Sequence, residues 1–197
     1  MCAYTKTLNT RVCLRSYATE ISVESLSAQD CAIWEAARAT SAAATFFDPI
    51  RIGRQEFVDG ATGANNPVEL VFDEAMAIWP NATSRIQCLV SIGTGVPELR
   101  DFGDNLKEIA QTLKIIATET EETEARFSRS LRFRELEGRY FRFNVLKGLR
   151  IVGLDKFGSL DTVEAATEQY LQDHIVRDQL DKFAAVQPPR LARRKYP

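Results

Sequence analysis

One segment constrains this chain more than any other. Arg85 to Ile92 reads RIQCLVSI, a mostly apolar run closed by Gly93-Thr94-Gly95. A short continuous apolar run of this kind suits a strand covered on both faces, as in a sheet sandwiched by helices. The segments around it alternate in type. Thr10 to Tyr17, TRVCLRSY, has period two and predicts a strand. Ala28 to Ala39 predicts a helix: Ser25 or Ser27 can cap it, Asp30 sits in its first turn, and Ile33, Ala36, Ala37 and Thr40 share a face. Phe57-Val58 is a short apolar pair that ends at Asp59-Gly60. Pro67 is placed to open a helix capped by Asn66, with Val68, Val71, Phe72, Ala75 and Ile78 at helical spacing and a stop at Trp79-Pro80. A long helix is expected from Asp104 to Phe127, with Leu106, Ile109, Ala110, Leu113, Ile116 and Ala117 as its apolar stripe. Tyr140 to Val145 alternates as a strand. Thr162 to Phe183 is expected as one helix, with Val163, Ala166, Tyr170, Leu171, Ile175 and Leu180 inward.

The alternation predicts an α/β fold with helices on a largely parallel sheet. Only three or four strands are legible. So small a sheet would leave an edge and a face uncovered, which leads us to expect that strands of a larger sheet lie outside this chain.

At 197 residues the chain suits one domain, expected over residues 1–186, followed by a basic, Pro-containing tail at 187–197. Hydrophobic residues make up 45% and charged ones 26%, the balance of a soluble globular protein. A net charge of -2 gives no electrostatic pull toward nucleic acid. Met1 to Tyr17 has Lys6 and Arg11 but no apolar run behind them, and no stretch approaches the ~18 apolar residues of a membrane span. A cytoplasmic location is the expectation. Cys2, Cys13, Cys31 and Cys88 form no C-x-x-C pair, and the single His174 is remote from them in sequence, so no metal site is expected. Cys13 and Cys88 read as small apolar strand residues. The sequon Asn81-Ala82-Thr83 reads as chance.

Asp59 is the leading chemical candidate. It ends a short apolar strand, and Gly60 after it allows a close approach or a positive φ. A carboxylate at a strand end can be aimed into a cleft as a general base. The dipeptide by itself favours the plainer role of capping a turn. Gly93-Thr94-Gly95 follows a strand, but Glu98 stands at the third fingerprint position and Pro97 lies inside the stretch, so a dinucleotide loop is disfavoured. The six Glu and six Arg between Glu119 and Arg142 read as a solvated, salt-bridged helix face.

Three segments change the weight given to Asp59: WEAARATSAAATFFDP, FVDGATGANNPVELVFDEA and CLVSIGTG. In order, spacing and wording they resemble the patatin-like phospholipase family, and RYFRFNV and AATEQYLQD resemble its fungal members. The resemblance spans nearly the whole chain. It implies a partial three-layer α/β/α fold and a serine–aspartate dyad that needs no histidine, metal or cofactor. Asp59-Gly60-Ala61 matches the family's D-G-[GA] motif, with Ala in the third position. Asp59 would be the base, and Asn65 and Asn66 would cap the following helix and order the aspartate loop. The implied substrate is a lipid or phospholipid ester. The charges of the basic tail, Arg190, Arg193, Arg194 and Lys195, read as solvated, with peripheral contact to an anionic membrane as the lesser alternative.

The departures form one block. No G-x-S-x-G occurs: Ser41 lies between Thr40 and Ala42, Ser91 between Val90 and Ile92, and Ser159 between Gly158 and Leu160. There is no G-G-G loop to donate to an oxyanion. In the family both precede the aspartate. The expectation is therefore the C-terminal half of such a domain, from a shortened gene product, inactive alone. A non-catalytic regulatory or interaction module is the alternative.

Overall fold

The computed structural model describes residues 1–17, 31–43, 46–96, 107–149 and 157–187. The chain divides into two compact units, one of Met1–Pro80 with Leu99–Arg129 and one of Asn81–Glu98 with Ser130–Pro197.

The first unit is built on a four-stranded sheet of order β2-β1-β4-β3. The strands are β1 (Cys2–Thr5), β2 (Thr10–Cys13), β3 (Ile50–Ile52) and β4 (Gln55–Asp59). Every neighbouring pair is antiparallel. β1 and β2 form a hairpin through Lys6–Asn9, where Asn9 takes φ 53° and its carbonyl accepts from the Tyr4 hydroxyl at 2.8 Å. Alternation sends Ala3, Thr5, Val12, Leu14, Ile52 and Phe57 to one face, where all are buried. Helix α1 (Ile33–Thr40) lies on that face and contributes Ala36 and Ala39 to the cluster. Glu35 reaches back to accept from the Ala32 N–H at 2.7 Å, satisfying an otherwise orphaned donor at the helix start.

After β4 come α2 (Ala61–Ala64), α3 (Val68–Ile78) and α5 (Lys107–Arg129). Val68, Phe72 and Ala75 form the buried stripe of α3, and Phe72 meets Phe127 of α5 edge-on at 6.2 Å. Thr120 and Phe127 are buried positions of α5.

The second unit pairs β5 (Leu89–Ile92) with β6 (Tyr140–Phe143) in parallel. Short helices α4 (Ala82–Arg85) and α6 (Leu131–Glu135) precede these strands, and α7 (Leu160–Gln172) and α8 (His174–Val186) follow. Phe183 of α8 meets the rings of Phe141 and Phe143 at 5.4 and 5.9 Å, while Leu136 is fully buried.

The α/β class holds, with helices on sheets. The parallel pairing expected from the sequence holds for β5 and β6, whereas the first unit's sheet is antiparallel throughout. β1 and β2, and β3 and β4, are each joined by a tight turn, the second Gly53-Arg54 with Gly53 at φ +59°, and such a link can only reverse the chain. β1 and β3 were not legible.

Other elements differ in detail. The expected strand from Thr10 to Tyr17 stops at Cys13, and the expected strand from Arg85 shrinks to Leu89–Ile92 because Ala82–Arg85 winds into α4. β5 is not covered on both faces: Val90 is 37% and Ile92 78% exposed. Val71 and Ile78 point outward from α3, as do Leu171 and Ile175 further on. The helix expected over Thr162–Phe183 is broken at Asp173, whose extended backbone (φ −61°, ψ 133°) ends α7 and whose Oδ1 accepts from Ile175 N–H at 2.8 Å to start α8. The expected caps at Ser25 and Ser27, Leu106, and the tail beyond Gln187 lie outside the described residues.

Candidate active site

Asp59 closes β4 opposite Ala3 of β1. Its backbone N–H donates to the Ala42 carbonyl at 3.0 Å, so the segment after α1 is tied to the end of the strand. Its Oδ1 accepts from the Ala61 N–H at 2.7 Å. That bond fixes the carboxylate over the start of α2. Among the described residues Oδ2 carries no hydrogen bond, and the side chain is half-buried.

Gly60 is required by close approach and not by a left-handed backbone, since its φ is −65°. A β-carbon there would stand 2.3 Å from the Cys2 carbonyl oxygen and 3.2 Å from the Cys2 Cβ. The same Cys2 carbonyl accepts from Thr40 Oγ1 at 2.5 Å. The end of α1, the start of β1 and the Asp59 turn therefore converge on one backbone group.

The loop beyond is held from two sides. Gly63, at φ +90°, offers its carbonyl to Arg11 Nη1 at 3.2 Å. Asn65 Nδ2 donates to Thr120 Oγ1 at 2.8 Å, and that hydroxyl donates in turn to the Ile116 carbonyl at 2.7 Å. Asn66 is buried at 6% exposure. The start of α3 falls one residue later than expected, at Val68 with Pro67 in the cap position, and no side chain caps it. Asn65 thus orders the loop by reaching α5, not by capping α3.

The weighed serines are engaged otherwise. Ser41 Oγ donates to Ala37 O at 2.8 Å, and Ser91 Oγ accepts from Arg142 Nη1 at 2.9 Å. Ser159 is the residue before α7 and makes no cap bond. His174 opens α8 with its side chain 90% exposed. The Gly93-Thr94-Gly95 loop packs on its own unit: Gly95 N–H donates to Asn144 Oδ1 at 2.8 Å, and a β-carbon on Gly93 would sit 2.2 Å from that oxygen. No group of His, Cys, Asp and Glu side chains suited to a metal ion occurs among the described residues. No described helix is long and apolar enough to cross a membrane.

Sequence reasoning missed Thr40, Arg11 and Thr120. Each acts through a partner more than 35 positions away, which no local pattern encodes.

The family model described as patatin-like phospholipase matches residues 1–72, a stretch that includes Asp59-Gly60-Ala61. The chain is 35% identical over 146 residues to phospholipase A I of Arabidopsis thaliana, covering 72% of this chain and 11% of that protein. It is 34% identical over 117 residues to calcium-independent phospholipase A2-gamma of Oryctolagus cuniculus, covering 57% and 14% respectively. The rat protein of the same name is 40% identical over 63 residues, 32% of this chain and 8% of the relative. The chain thus spans between a twelfth and a seventh of the length of these relatives.

Proposed function

We propose that this chain is the C-terminal part of a patatin-like lipid acyl hydrolase domain, of the fungal type, and that Asp59 is the base of a serine–aspartate dyad. The observation that carries this reading is the state of the Asp59 carboxylate. One oxygen is held by the Ala61 N–H, and the other makes no bond among the described residues. A carboxylate fixed in that way can take a proton from a hydroxyl brought to its free oxygen. The similarity to proteins named phospholipases supports a lipid ester as substrate.

In the proposed reaction the serine oxygen attacks the ester carbonyl while Asp59 receives its proton. The proton passes to the leaving alkoxide, and an acyl-serine remains. Water then attacks the acyl group with Asp59 again as base, releasing fatty acid and freeing the serine. No histidine, metal or cofactor takes part. Asn65, through Thr120, and Gly60, against Cys2, keep the aspartate turn in place. The serine and the oxyanion donors come from a G-x-S-x-G elbow and a G-G-G loop that this sequence does not carry. The chain by itself is therefore inactive. In this reading the complete domain works in the cytoplasm and meets its lipid substrate at a membrane surface.

The test is reconstitution. The chain is joined to, or expressed with, a segment carrying both motifs, and fatty acid release from phosphatidylcholine vesicles is measured. The reading expects release only from the combined protein. Release by the chain alone would refute it, as would its labelling at a serine by a fluorophosphonate. A combined protein that folds but never releases fatty acid would favour the interaction module.

A further inference from the structure

Cys2 and Cys13 form no C-x-x-C pair in the sequence, yet the β1–β2 hairpin sets them directly opposite one another. Their neighbours Met1 and Leu14 exchange both backbone bonds, Leu14 N to Met1 O at 2.7 Å and Met1 N to Leu14 O at 2.9 Å. Cys2 and Cys13 are therefore a non-hydrogen-bonded antiparallel pair, whose α-carbons stand about 4.5 Å apart. That separation lies inside the range of about 4.4–6.8 Å that a disulfide spans. Both thiols are free and half-buried.

Their surroundings divide the roles. The hydrogen bond with Cys2 lowers the Cys13 thiol to about 6, with help from Arg15 and the amino terminus and against burial and Glu74. The Cys2 thiol is raised, by its bond with Cys13 and by burial, with Arg11 and the amino terminus opposing. A lowered thiol facing a raised one across a strand pair is the arrangement in which a reactive cysteine meets a resolving partner. By contrast, Cys88 is raised by burial and Cys31 donates to the adjacent Ala32 carbonyl at 3.4 Å.

From this we infer that Cys2 and Cys13 form a thiol–disulfide site that hydroperoxides oxidise, with Cys13 as the attacking sulfur and Cys2 as the resolving one. The Cys13 thiolate attacks the outer oxygen of the hydroperoxide, the O–O bond breaks, and the leaving alkoxide takes a proton from water. Cys13 is then a sulfenic acid. The Cys2 sulfur attacks it, the S–O bond breaks, and hydroxide departs with the Cys2 proton as water. Two electrons pass to the peroxide and one S–S bond forms. The site lies beside the aspartate turn, because Cys2 is the residue against which Gly60 packs.

The full chain is treated with hydrogen peroxide, free thiols are alkylated, and peptides are mapped by mass. A Cys2–Cys13 cross-link lighter by about two mass units, with Cys31 and Cys88 alkylated, is expected. Cys2→Ser should trap Cys13 as a sulfenic acid that reacts with dimedone, and Cys13→Ser should leave Cys2 unreacted. The inference is overturned if Cys2 and Cys13 stay reduced, if all four cysteines oxidise at one rate, or if dimedone marks Cys2 in the Cys13→Ser chain.

Discussion

Gly60 lies so close to the backbone of Cys2 that a β-carbon on it would stand 2.3 Å from the Cys2 carbonyl oxygen. Two strands and a turn are fitted to the absence of one methyl group. Gly60→Ala must push β1 away from β4 or shift the aspartate turn. We expect a loss of about 1–3 kcal/mol in urea unfolding, the usual cost of overpacking. An unchanged urea midpoint would show that the contact gives way freely.

Thr40 acts on the same carbonyl from the other side, at 2.5 Å. Thr40→Val keeps the shape and deletes the donor. The expected loss is about 1 kcal/mol. The double variant with Gly60→Ala should lose less than the sum, since both changes act on the Cys2 carbonyl. Strict additivity would separate the two contacts.

Glu74 holds a second junction. It accepts from Arg15 Nε and from the Tyr17 hydroxyl, each at 2.7 Å, and from Arg15 Nη2. The Arg15 side chain is only 7% exposed. The bond to Arg15 lowers the Glu74 carboxyl below its ordinary value of 4.5, against the opposing effect of burial. The unfolded chain therefore binds this proton more readily than the folded one, and acid favours unfolding. The contribution is full above 4.5 and is lost as pH falls through the lower folded value. Glu74→Gln should cost about 2 kcal/mol at neutral pH and flatten the acid limb of the stability profile. An unaltered acid limb would contradict this.

The charged stretch between Glu119 and Arg142 splits into two kinds of cation. Arg126 meets Glu69 at 3.2 Å but is 57% exposed. Arg126→Ala should change stability by less than about 1 kcal/mol. Arg139 instead donates to the carbonyls of Thr83, Ile86 and Glu135. Arg139→Ala should cost about 2 kcal/mol. Equal effects of the two substitutions would refute the distinction.

The sequence carried what is local. The D-G turn, α3 with its stop at Trp79-Pro80, the long α5 and β6 follow from periodicity and from Pro and Gly. What it hid depends on distant partners. Cys2 to Thr5 is too short to show a period, and it is a strand because β2 and β4 flank it. The break at Asp173 is invisible to an apolar count, because Asp173 falls between two helices of similar composition. The aspartate was legible as a residue type at a strand end. The groups that hold its turn, Cys2 and Thr120, belong to segments far along the chain.

The most direct test of the account is the proton acceptor itself. In the reconstituted protein, Asp59→Asn keeps the side chain's size and leaves Oδ1 free to accept from Ala61, but it cannot take a proton. Fatty acid release from phosphatidylcholine vesicles should fall by ~10²–10⁴-fold with the unfolding midpoint nearly unchanged. His174→Gln, on an exposed side chain, should leave the rate as it was. An Asp59→Asn protein that keeps most of its activity would contradict the assignment of Asp59 as the base.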